Sequence, residues 1–172
     1  IIESASTRQL LVWHAEAIVS LNPQTGEQYW SVPLQPAYEM SICRPQRDGD
    51  LLYACGIGNK SLMMRLTSDK PGVEELWSGE PKTSVYCSNS TPIFYENVIY
   101  GSDCGVGNFI AVNAENGERY WETFEPTRKG EDRRISHGTA FVTHIAGTDR
   151  YLLFSEIGDL IIARLTKAGY EE

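Results

Sequence analysis

The sequence contains no adjacent pair of cysteines and no C-x-x-C. Its four cysteines stand apart at 43, 55, 87 and 104, which does not fit a zinc framework. They read as buried free thiols or, in an oxidising compartment, as one or two disulfides. Histidine is scarce: only His14, His137 and His144 occur. His14 falls in a strand-like stretch, LLVWHAEA, and reads as a strand residue rather than a ligand. His137 and His144 flank another such stretch and point to opposite faces if it is extended, so they share no metal. Ser136 adjoins His137, but a catalytic triad is defined by geometry and not by adjacency. Long apolar runs are missing too. The longest are about five residues, as around Leu160 to Ala163, far short of a bilayer span. The start, IIESASTRQL, shows no basic region followed by an apolar one, so no secretory signal is visible. Basic residues are outnumbered, 15 against 23 acidic, for a net charge of −8 and a pI near 4.9. That balance argues against the basic face needed to hold nucleic acid and against strong attraction to anionic membranes.

What is present is a repeat. The phrase NPQTGEQYW at 22–30 returns as NAENGERYW at 113–121. Leu21, Leu66, Val112 and Leu165 hold equivalent places, about 45 to 53 residues apart, and Trp30, Trp77 and Trp121 follow the first three. Each unit reads as four short strands rich in β-branched and aromatic residues. In the third unit they are TPIFY, NVIYGS, NFIAVN and ERYWET. Asn116-Gly117 predicts a tight hairpin, because both residues tolerate positive φ. Gly26 and Gly72 are expected to do the same. No segment predicts a long helix; the best candidate, near Pro71 to Leu76, is too short.

Four strands per unit of about 45 residues is the arithmetic of a β-propeller blade. The expected fold is all-β: one domain or partial propeller over 1–172, with blades near 1–36, 37–82, 83–127 and 128–172. Each blade cannot bury both faces of its sheet alone, so neighbours cover them. The structural residues of the repeat are then Gly26, Gly72 and Gly117, which turn the chain, and Trp30, Trp77 and Trp121, whose indoles pack against the next blade.

The motifs AIVSLNPQTGEQYW and IAVNAENGERYW resemble the pyrroloquinoline-quinone-like propeller repeat. The second unit departs from it, LMMRLTSDKPGVEELW carrying two extra residues, and the fourth stops at LIIARLTKAGYEE before its Trp strand. The resemblance implies a bacterial propeller of periplasmic or secreted location. It covers two kinds of protein. Quinoprotein dehydrogenases bind pyrroloquinoline quinone with calcium under a vicinal Cys-Cys disulfide. Non-catalytic members include the periplasmic outer-membrane assembly lipoprotein. This chain has no Cys-Cys and no segment matching the calcium ligands, so no catalytic, cofactor or metal residue carries over. The resulting expectation is a non-catalytic binding or scaffold propeller holding a protein partner or a ligand at a rim. The alternative is part of a quinone-dependent dehydrogenase whose site lies on other blades.

The N-terminal unit has only residues 1 to 7 for its first strand. The chain is therefore expected either as a piece of a larger ring or as a four-bladed ring closed by its N-terminal segment. A piece would expose apolar blade faces and self-associate. Two glycine-rich stretches, Cys55-Gly-Ile-Gly-Asn59 and Cys104-Gly-Val-Gly-Asn108, do not open a helix and so are not phosphate loops. They read as equivalent turns on one rim that bring two thiols near each other. The charged stretch 127–138 reads as a rim loop, and Asn59 and Asn89 begin glycosylation sequons.

Overall fold

The computed structural model describes residues 1–129 and 138–172. Ser136, His137 and most of the long 127–138 stretch lie outside the described residues. The chain forms four antiparallel sheets, each of four strands in sequence order. Blade 1 comprises β1 (Ile2–Ser4), β2 (Thr7–Trp13), β3 (Ala17–Leu21) and β4 (Gln28–Pro33). Blade 2 comprises β5 (Gln46–Asp48), β6 (Leu51–Gly56), β7 (Lys60–Leu66) and β8 (Val73–Ser78). Blade 3 comprises β9 (Ile93–Tyr95), β10 (Val98–Ser102), β11 (Phe109–Asn113) and β12 (Arg119–Thr123). Blade 4 comprises β13 (Ala140–His144), β14 (Arg150–Ser155), β15 (Leu160–Leu165) and β16 (Tyr170–Glu171). First strands touch one another, β5 with β9 and β9 with β13, so they lie along the inside of the arc.

Two expectations at the chain ends are corrected. The last unit does carry a fourth strand, because Tyr170 pairs with Leu165 and Glu171 with Arg164. The N-terminal segment does not complete blade 4: Ile2, Glu3 and Ser4 pair with β2 of their own blade.

The repeated phrase is a turn with a physical recipe. Asn113 Oδ1 accepts the Glu115 N–H at 3.0 Å, and the Gly117 N–H returns to the Asn113 carbonyl at 2.8 Å. Gly117 closes the turn at φ +78°, a region that penalises side chains. Asn22 and Gly26 repeat this, with φ +76° at the glycine. Gly72 does not, because its φ is not positive. The two extra residues widen that loop, which is closed by the Thr67 N–H on the Gly72 carbonyl at 3.1 Å. Asp103 and Gly107 build the same turn between β10 and β11, with φ +83° at the glycine. A β-bulge follows the partner of each repeat tryptophan, between Ser20 and Leu21, Met63 and Met64, and Ala111 and Val112, so register sets Met64, not Leu66 as expected, at the place of Leu21 and Val112.

Blades join through aromatic rings. The Trp77 indole donates to the Ala114 carbonyl of blade 3 at 2.8 Å and lies over Gly117, where an added Cβ would sit 3.0 Å from the ring. Trp121 donates to the Thr166 carbonyl of blade 4 at 2.7 Å. Trp30 behaves differently: its N–H goes to Gln9 Oε1 inside its own blade at 3.0 Å, a buried amide also held by Ser20 at 2.7 Å. The indole that bridges blades 1 and 2 is Trp13, whose N–H reaches the Leu34 carbonyl at 2.8 Å and whose ring rests on Gly56.

Candidate functional site: open blade faces, a seam cleft and buried thiols

Alternation in a strand sends successive side chains to opposite faces of its sheet. Along β10 of blade 3 that makes no difference to burial, because every position is buried. In blade 4 it makes all the difference. Along β15, residues alternate between exposed and buried. The covered side carries Val142, Tyr151, Leu153, Ile161 and Ala163, which fill the core shared with blade 3. The open side carries Phe141, Phe154, Leu160 and Ile162, each 45–69% exposed. These are neighbours, since Phe141 pairs with Phe154, Phe154 with Leu160, and half-buried Leu152 with Ile162. They make one contiguous apolar patch, a feature that marks an interaction surface on soluble proteins. At the other end of the arc, the outer face of blade 1 presents Arg8, half-buried Leu10 and Val12.

The seam between blades 3 and 4 opens at one rim into a cleft of about 530 Å³. Tyr95, Tyr100 and Tyr151 line it, Tyr151 lying 5.4 Å from Tyr100, and the His144 ring packs beside them, 4.2 Å from Tyr95 and 4.8 Å from Tyr151. His144 Nε2 donates to the Thr148 carbonyl at 2.7 Å, which fixes the ring. Burial raises the phenol of Tyr100 well above its usual value and that of Tyr151 to about 12. At the lip, Arg164 is tied to Asp149 and Glu171. His14, expected within a strand, stands just beyond β2 and is exposed, its Nδ1 accepting the Glu16 N–H.

The third feature lies between blades 2 and 3. Asp103 is 4% exposed and fully occupied: Oδ1 accepts the Gly105 and Val106 N–H groups, and Oδ2 meets Arg119 at 3.2 Å. Arg119 also donates to the Ser84 carbonyl at 2.9 Å and pairs with Glu122 at 3.0 Å. These contacts lock the β10–β11 turn and hold Arg119 between Asp103, Ser84 and Glu122. Beside it the Tyr53 hydroxyl donates to the Val85 carbonyl at 2.8 Å and lies 2.7 Å from Ser84 Oγ.

Tyr53 also borders the thiols. The two glycine-rich stretches are not equivalent turns. Cys55 is inside β6 and 1% exposed, opposite Ser61, whereas Cys104 sits in the β10–β11 turn and is half-buried. Cys55 shares its buried core cluster with Cys43 and Cys87 instead. Burial pushes the Cys55 thiol up, and the polar groups of Cys43, Cys87 and Tyr53 outweigh it, so Cys55 is held well below an ordinary thiol. Cys43 and Cys87 are raised, first by Cys55 and then by burial. Sequence reading paired the wrong sulfurs because it aligned C-G-x-G-N by letter, while strand register aligns Cys55 with Ser102.

The Asn59 and Asn89 side chains are exposed. Among the described residues no group of three or more His, Cys, Asp or Glu is arranged to hold a metal, and no helix is long and apolar enough to cross a membrane.

The four four-stranded sheets are shared with solved propellers. BamB from Moraxella catarrhalis superposes with a TM-score of 0.57 at 14% identity, over 96% of this chain and 55% of that one. The fold is that of the pyrroloquinoline-quinone-like β-propellers. The quinohemoprotein alcohol dehydrogenase ADHIIG from Pseudomonas putida HK5 matches 95% of this chain and 32% of its own, at 13% identity and a TM-score of 0.56. The computationally designed Ika4 protein matches at 9% identity and a TM-score of 0.57, over 94% of this chain and 88% of that one. No family model and no curated protein matches the chain. The chain thus spans about half the length of the BamB chain that it resembles, and a third of the dehydrogenase.

Proposed function

We propose that this chain is a non-catalytic protein-binding propeller module, periplasmic or secreted, whose working surfaces are its open blade faces. The partner is a second copy of the same chain. The observation that carries the reading is the apolar patch of Phe141, Phe154, Leu160 and Ile162 on an open face of blade 4, where the second strands of blades 2 and 3 are buried almost throughout.

The choice of partner follows from the seams. Inside the chain, the face of one blade is covered by the opposite face of the next. The open face of blade 4 therefore complements the open face of blade 1, where Leu10 and Val12 stand. Blade 4 of one copy on blade 1 of another is a head-to-tail contact, and two such contacts close a ring of two copies. The BamB match, in which this chain accounts for 55% of that chain, supports an arc that needs as many blades again.

Sedimentation velocity on the purified chain and on Phe154→Glu tests this. The native chain is expected to sediment as a dimer and the variant as a folded monomer, with an unchanged far-ultraviolet spectrum. A native chain that stays monomeric at high micromolar concentration overturns the second-copy reading.

A further inference from the structure

The turn that recurs in the sequence is built alike in blades 1 and 3, and the chain covers it in only one of them. In blade 3 it seats an indole. Trp77 of blade 2 donates its N–H to the Ala114 carbonyl at 2.8 Å, and its ring lies 3.0 Å from the place of a Cβ on Gly117. Ala114 and Gly117 are buried there. In blade 1, Asn22 and Gly26 stand where Asn113 and Gly117 do. The glycine φ values are +76° and +78°, and each glycine N–H closes on its asparagine carbonyl, at 2.9 Å and 2.8 Å. Pro23 takes the place of Ala114. Yet Gly26 is exposed, Pro23 is half-buried, and nothing beyond its chain neighbours lies within 4 Å of a Cβ on Gly26. Among the described residues no group donates to the Pro23 carbonyl. Asn22, Pro23, Gln24 and half-buried Tyr29 border an open cleft of about 410 Å³, within the usual range of ligand pockets. Exposed Arg8 is the charged side chain of its lining.

We propose that the Asn22–Gly26 turn of blade 1 binds a tryptophan side chain carried on an acidic strand of another protein. The indole N–H goes to the Pro23 carbonyl, the ring lies on Gly26 beside Tyr29, and Arg8 meets a carboxylate next to the tryptophan. The strand that fills the blade 3 seat has this composition: VEELWS at 73–78, with Glu74 and Glu75 ahead of Trp77. A second copy docked by blade 4 brings no free indole to the turn. All four tryptophan N–H groups are engaged within the chain, on Leu34, Gln9, Ala114 and Thr166. The site therefore goes beyond the second-copy contact and does not depend on it. Glycine serves position 26 in two ways. It tolerates the left-handed φ, and it leaves the ring room that any side chain would take. An indole in such a seat combines a large apolar area with one directed hydrogen bond, the combination that makes tryptophan an anchor in protein contacts.

The test is amide NMR of the isotopically labelled full chain carrying Phe154→Glu, which keeps self-association out of the measurement. The probe is the peptide VEELWS, acetylated and amidated. The amides of Gln24, Thr25 and Gly26 are expected to shift saturably as the peptide is added. The same peptide with Trp77→Ala should bind at least about tenfold more weakly. Arg8→Glu in the chain should weaken binding about two- to fivefold, as expected for one exposed charge. Gly26→Ala should abolish it. If Gly26→Ala does not fold, the comparison of the two peptides and the map of shifted amides decide. No saturable shift at millimolar peptide, equal binding of the two peptides, or shifts centred on Gly117 instead of Gly26 each overturns the proposal.

Discussion

Blade 3 and blade 4 share strand order, hairpin geometry and an apolar composition, yet only one of them is a core. In blade 3, β10 is buried throughout. In blade 4, β14 alternates, with Tyr151, Leu153 and Ser155 covered while Arg150 and Phe154 are exposed. The difference lies in the neighbours: blade 3 stands between two sheets, blade 4 beside one. Burial in a stack of sheets is thus a property of position, and apolar residues on an end blade mark a contact still to be made.

That comparison can be broken most severely at the seam. Trp121→Ala removes an indole from the blade 3–blade 4 junction and is expected to cost about 3–5 kcal/mol in denaturant unfolding. Phe154→Ala, on the same blade but its open face, is expected to change dilute-monomer stability by less than about 0.5 kcal/mol. Equal costs for the two would mean that blade 4 is covered on both sides. A lesser effect is expected at Gly56, where an added Cβ would lie 2.6 Å from the Trp13 ring. Gly56→Ala should lose about 1–3 kcal/mol through overpacking of the first seam, read as a lowered urea midpoint.

Alkali sharpens the same contrast more gently. Burial raises the seam phenols, to about 12 for Tyr151 and, at the outer edge of blade 4, to about 12 for Tyr170. Their folded values lie above the unfolded value near 10. They therefore add stability that is complete below pH 10 and is lost as pH climbs through 12. Phenolate absorbance should develop late in the folded chain, in step with unfolding; full development at pH 10 to 11 in folded protein would contradict this. The smallest effect is reserved for Asp149→Ala. It breaks a solvent-exposed pair with Arg164 and should leave the melting midpoint unmoved.

Much of the fold was legible because the repeat writes its turns in the sequence. Asn22 to Gly26 and Asn113 to Gly117 each encode one left-handed glycine and one asparagine that caps the turn. Third-unit strands read from the sequence agree with β9 to β12 within two residues at each end. Gly72 misled because two inserted residues change how the loop closes, which letters alone do not reveal. Trp13 was missed because it lies outside the repeated phrase, and its partner Gly56 becomes visible only when blade 1 is set against blade 2. The thiol group was illegible for a deeper reason. Cys43, Cys55 and Cys87 come from three segments, and only the seam between blades brings them together. The open face of blade 4 was foreseen in kind but not in residues, since naming Phe141, Phe154 and Ile162 requires knowing which side of the sheet blade 3 occupies.

The most direct measurement is hydroxyl-radical footprinting of the native chain across a concentration series. Phe141, Phe154 and Ile162 are expected to react freely when dilute and to become protected when concentrated, while exposed Tyr38 reacts alike throughout. If Phe154 stays as reactive as Tyr38 at every concentration, the open face of blade 4 is not where this protein meets its own copy.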